Sequence, residues 1–305
     1  MEQTFIDQVI ESVIGATVSG VAAYNLYSRF MRVEEDEKRW KDNNIKYKFR
    51  ERTRIGNMDK PGVLLLHGFS SSPYDFDKLM KILDKTDRSY YAGNLPGHDP
   101  DHGNKLQQYS YRDWRKSAYH FMQRLLRYSN GTVDVIGFSL GGLLTLDLLP
   151  DDHVRRGVII NPFTKLPVEL DVPNLAYRIN PVLPYIRKIS NNINSPDGQQ
   201  EFEPLYKHIP ILAYLQVQEY ANKIWEHARK GINKPLLFAY SAKDTISCPK
   251  SMAKYAVDVC VNRYSQIKVY SQSDHGILFD YDSERVNEDI LKFITQEDTN
   301  EKLEN

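Results

Sequence analysis

The tightest constraint on this 305-residue chain lies at Gly137-Phe138-Ser139-Leu140-Gly141-Gly142. The run before it, 132–137, has the β-branched, apolar composition of a buried strand, and 140–149 has the leucine content of a helix. With so little chain between them, the strand must turn sharply into the helix at Ser139. Gly137 and Gly141 flank the turn because a β-carbon there would collide with neighbouring backbone, and the serine hydroxyl is presented, not buried. Gly-x-Ser-x-Gly alone arises by chance in roughly one chain in ten of this length. Its meaning therefore rests on partners supplied elsewhere.

A nucleophilic serine needs a base, a group that orients the base, and donors for an oxyanion. The candidate base is His275 in Ser273-Asp274-His275-Gly276, which follows the alternating strand pattern of 266–270. Asp244, just after the apolar strand run 235–240, is the candidate orienting acid. Asp274 competes poorly, because a carboxylate cannot readily face the ring of the next residue. The candidate oxyanion donors are the backbone amides of Leu140 and of Phe69, the latter in His67-Gly68-Phe69-Ser70 at the end of the apolar run 62–66. His67 is expected to support that loop, not to serve as a second base. His98-Asp99-Pro100-Asp101-His102 has the residue types of a metal site, but its turn-forming composition explains it, and serine chemistry requires no metal or cofactor.

In order, strand-His-Gly-Phe, strand-Gly-Phe-Ser-Leu-Gly-Gly, strand-x-Asp and strand-Asp-His-Gly resemble the α/β-hydrolase superfamily. Leu95-Pro96-Gly97-His98 is similar to the Leu-Pro-Gly-His-Gly loop of bacterial carboxylesterases and monoacylglycerol lipases, with Asp99 where they usually carry glycine. Asp113-Trp114 and the closing helical pattern at 284–290 extend the likeness, which covers about 61–294 except a middle segment. The resemblance implies an α/β-hydrolase fold whose triad is Ser139, His275 and Asp244.

The wider pattern agrees with an α/β chain. Strand runs near 62–67, 89–95, 132–138, 157–161, 235–240 and 266–270 alternate with amphipathic stretches, as in a mainly parallel sheet covered by helices. The candidate residues fall at carboxyl ends of strands, where open α/β sheets bind ligands. The expected organisation is a core at 61–161 and 232–297, a helical cap at 162–231 after the fifth predicted strand, and a polar tail at 298–305. The cap mixes prolines, tyrosines and apolar residues, which favours an apolar ester substrate. A formal net charge of zero gives no electrostatic reason to expect nucleic acid. The two cysteines, Cys248 and Cys260, fit no metal spacing and read as reduced, buried thiols.

The first 30 residues read as an apolar helix, uncharged over 12–28. Seventeen helical residues reach about 25 Å against a hydrocarbon core of about 30 Å, so the segment is a candidate membrane anchor. Within 5–28, an amphipathic face or the small residues Gly15, Ala16, Ser19, Gly20 and Ala23 would equally suit lying on a membrane or pairing with a helix. Arg29, Arg32, Lys38, Arg39 and Lys41 after the run would hold the rest of the chain in the cytoplasm. Residues 31–60 read as a charged, solvated spacer. The expected activity is hydrolysis of carboxylic esters of apolar acids, with activity falling in acid because a histidine base must be neutral. The alternatives are another triad hydrolase (thioesterase, peptidase or carbon–carbon hydrolase) or a catalytically silent, membrane-tethered binding protein.

Overall fold

The computed structural model describes residues 47–101, 105–165, 185–188, 191–229 and 232–296, with 185–187 as backbone. The expected N-terminal helix, the spacer up to residue 46, residues 166–184 of the expected cap, His102 and the 298–305 tail lie outside the described residues. Among the described residues no helix is long and apolar enough to cross a membrane.

All six expected strand runs form strands: β2 (Gly62–Leu66), β3 (Tyr90–Ala92), β4 (Val133–Phe138), β5 (Val154–Ile160), β8 (Leu236–Ser241) and β9 (Gln266–Tyr270). They pair in parallel in the order β3-β2-β4-β5-β8-β9, and β1 (Arg52–Arg54) closes one edge antiparallel to β3. Strands β2, β4 and β8 are buried at every position, which is why they read as continuous apolar runs and not as alternations.

Helices cover both faces. On one lie α2 (Tyr111–Leu126), α3 (Leu140–Leu148), α5 (Ile211–Ala228) and α6 (Pro249–Val259); on the other lie α1 (Asp77–Leu83) and α7 (Ser283–Thr295). Helix α2 buries Tyr111, Trp114, Ala118, Met122 and Leu125, one face at helical spacing, and starts with a Ser110/Asp113 capping box. Helix α3 has almost no polar face, because α2 and α5 pack against it as well as the sheet.

Five expectations need correction. The charged spacer reading fails at 52–54, where β1 forms; a sheet edge tolerates charged side chains, so the charge conceals the strand. The sequence reading sets the cap after a fifth strand although only four of its strand runs precede residue 162, and β1 supplies the missing one. The inserted segment is not purely helical, since β6 (Tyr185–Arg187) and β7 (His208–Pro210) pair antiparallel beside α4 (Pro196–Glu201). Helix α5, placed in the cap by sequence, buries Tyr220, Ala221, Ile224 and Trp225 in the main core, its apolar stripe facing α3. The cysteines are free but only half-buried, at the two ends of α6.

Candidate active site

Ser139 sits between β4 and α3 with φ 53° and ψ −111°, a strained conformation for a residue with a β-carbon. The glycines on either side are required. A β-carbon on Gly137 would stand 1.9 Å from the Gly141 carbonyl oxygen, and one on Gly141 would stand 1.8 Å from that of Leu66. The Ser139 amide is pinned to the Ile160 carbonyl at 2.9 Å, which fixes the turn against the neighbouring strand.

The structure brings together the three side chains expected to act in sequence. His275 Nε2 lies 3.0 Å from Ser139 Oγ, and His275 Nδ1 lies 2.7 Å from Asp244 Oδ2. The Asp244 side chain is fully buried, and its other oxygen accepts the amides of Ile246 and Ser247 at 2.8 and 2.6 Å. Those bonds aim one oxygen at the imidazole. Asp274 is engaged elsewhere: its carboxylate accepts the Thr245 amide and hydroxyl at 2.8 and 2.9 Å, tying the acid loop to the histidine loop.

The loop after β2 lies beside the serine turn. His67 donates from Nδ1 to the Gly68 carbonyl at 2.8 Å and accepts the Leu95 amide at Nε2 at 3.0 Å. Burial lowers its pKa to about 4. His98 is likewise fully buried, accepts the Ser70 amide at Nε2 at 3.0 Å and donates from Nδ1 to the Pro96 carbonyl at 3.1 Å. Burial, then the neighbouring His67, holds its pKa well below the usual histidine value. Asp75 accepts the Gly68 amide at 2.9 Å and the Ser71 hydroxyl. The Phe69 ring packs against His98 and Trp114 at 5.9 and 5.7 Å.

Four residues of this setting carry no catalytic pattern in the sequence. The sequence sets His98 in a turn-forming loop, and only the parallel pairing of β2 with β3 brings it under the Phe69 loop. Asn161, at φ 40°, donates to the His275 carbonyl at 2.8 Å and accepts the Ser241 amide at 2.7 Å, joining the ends of β5 and β8 to the histidine loop. Asp280 accepts the amides of Asp274, Asn194, Ser195 and Tyr281, each at 2.8 Å. Asp75 completes the set. The available signal is weak: a polar residue ending an apolar strand (Asn161), and acids shortly after His-Gly (Asp75) and Asp-His-Gly (Asp280). Among the described residues no group of His, Cys, Asp and Glu could hold a metal ion.

A parallel sheet with a serine turn after one strand, an acid after another and a histidine after the last defines an α/β hydrolase. The chain belongs to the alpha/beta hydrolase family, whose model matches residues 63–288. It is 24% identical over 244 residues to a thermostable monoacylglycerol lipase of Bacillus sp. (strain H-257), covering 77% of this chain and 90% of that protein. Its fold is similar to that of one of LipS and LipT, two metagenome-derived lipolytic enzymes, with a TM-score of 0.70, 19% identity, and coverage of 80% of this chain and 96% of the other. The Paleococcus ferrophilus monoacylglycerol lipase superposes with a TM-score of 0.64 at 19% identity, covering 80% and 98%.

Proposed function

We propose that the chain hydrolyses carboxylic esters of apolar acyl groups through an acyl-enzyme on Ser139. The observation that carries this reading is the unbroken hydrogen-bonded path from buried Asp244 through His275 to a serine held on a strained turn. Ser139 Oγ attacks the ester carbonyl carbon while His275 Nε2 takes its proton. Asp244 holds the proton-bearing Nδ1 towards itself and stabilises the imidazolium. The amides of Phe69 and Leu140 receive the oxyanion; among the described residues, neither has another acceptor. His275 then protonates the departing alcohol, and water repeats the sequence to release the acid. The apolar acyl group is supported by aromatic residues beside the turn, Phe69 and Phe163, and by the lipase and lipolytic activities of the relatives named above.

Intact-mass measurement after fluorophosphonate treatment tests the mechanism. Wild type is expected to gain one adduct that Ser139→Ala and His275→Ala lack, and each variant to lose about 10³-fold or more in kcat on a p-nitrophenyl ester. Folded wild type that takes no adduct refutes the mechanism. A p-nitrophenyl series of increasing acyl length should show an optimum beyond acetate; rates independent of length refute the acyl assignment alone.

A further inference from the structure

Resting on the ester-hydrolase reading above, we propose that Asp75 is a positioning residue for that reaction: its carboxylate holds the loop after β2 so that the Phe69 amide is left to donate. Three successive amides of this loop meet different fates. That of Gly68 is taken by Asp75 Oδ2 at 2.9 Å and that of Ser70 by His98 Nε2 at 3.0 Å, while among the described residues no acceptor takes the Phe69 hydrogen between them. Tethers on both sides fix the direction of the middle amide. Asp75 reaches the loop twice, because its second oxygen accepts the Ser71 hydroxyl.

The loop needs such holding. Ser70 stands at φ 57°, in the left-handed region that is unfavourable for a residue with a β-carbon, so it would relax if released. Asp75 is itself rigidly placed. It lies within the 3₁₀ turn Pro73–Phe76, between buried Tyr74 and Phe76, in a turn capped by Ser72. Placing a carboxylate there is costly: burial raises its pKa to about 6, against the opposing pull of the Ser71 and Gly68 bonds and of the Lys188 and His275 charges. An acid that served only the core would be better replaced by an apolar side chain.

Steady-state kinetics on a p-nitrophenyl ester, with thermal unfolding of each variant, tests the role. Asp75→Ala is expected to lower kcat about 10- to 100-fold with KM within about threefold, the signature of a donor displaced by a fraction of an ångström. Asp75→Asn should recover most of that loss, since its oxygen still accepts the Gly68 amide and its NH₂ can donate to Ser71 Oγ. Ser71→Ala should fall between the two. Folded Asp75→Ala with undiminished kcat, or equal losses in the Ala and Asn variants, overturns the proposal. If Asp75→Ala does not fold, Ser71→Ala decides, and unchanged kcat there overturns it. The two readings fail separately. Wild type that takes no fluorophosphonate adduct refutes the ester-hydrolase reading and this role with it, whereas labelled wild type with full kcat in Asp75→Ala refutes the positioning role alone.

Discussion

His67 and His98, their ring centroids 4.9 Å apart under the Phe69 loop, each use one nitrogen to accept an amide and the other to donate to a carbonyl. A second proton on either ring would displace an amide, so the fold keeps both neutral. Because their pKa values are lower in the folded chain than in the unfolded one, their contribution to stability is full above about pH 6.5 and is lost as the pH falls towards 4. For His67 the slope is about 1.4 kcal/mol per pH unit over that range, and His98 acts in the same direction. Asp75, raised to about 6, works in the opposite sense between about pH 4 and 6 and cancels one of the two. The urea midpoint is therefore expected to fall from pH 6.5 to 4.5, and to fall less steeply in His98→Asn. Equal slopes in the two proteins would refute the account. The supporting role of His67 was legible from its place beside Gly68 at a strand end. That of His98 was not, because its partner, the Ser70 amide, lies 28 residues away and no sequence spacing encodes a bond to backbone across two strands.

At the scale of elements, the bottom of the sheet is fastened to α7 by arginines. Arg88 and Arg155 both bind Asp134 Oδ2, at 2.5 and 2.6 Å, and both donate to the Ile294 carbonyl, while Arg156 donates to that of Phe293. Three cations thus meet the last carbonyls of a helix whose dipole ends there, and one buried acid offsets part of their charge. Asp134→Ala leaves Arg88 buried without its carboxylate and is expected to cost about 3 to 5 kcal/mol in urea unfolding. Replacing both Arg88 and Asp134 with apolar residues should recover much of that loss; if the double variant is as unstable as the single, the buried charge is not the cause. The central strands were legible because burial on both faces writes continuous apolar runs, and β9 because one half-exposed face writes an alternation. The exception was β1, where Arg52, Thr53 and Arg54 obey the chemistry of an exposed edge and so imitate a spacer.

Across the whole molecule, the serine, acid and histidine could be found in the sequence because each follows a recognisable strand. The groups that hold those strand ends together could not, because Asn161 and Asp280 bind backbone amides and carbonyls that any residue offers. Asp280 joins distant parts of the chain: it grips the Asp274 amide beside the histidine and the Asn194 and Ser195 amides of the inserted segment. Asp280→Ala is expected to speed hydrogen exchange at Asp274, Asn194 and Ser195 together, and to lower kcat about tenfold or more through a loosened imidazole. Faster exchange on only one side would show that the two are not coupled. The same carboxylate makes the inserted segment and the histidine loop one mechanical unit: residues 194 and 195 cannot move away from Asp274 without giving up the bonds that Asp280 makes to them.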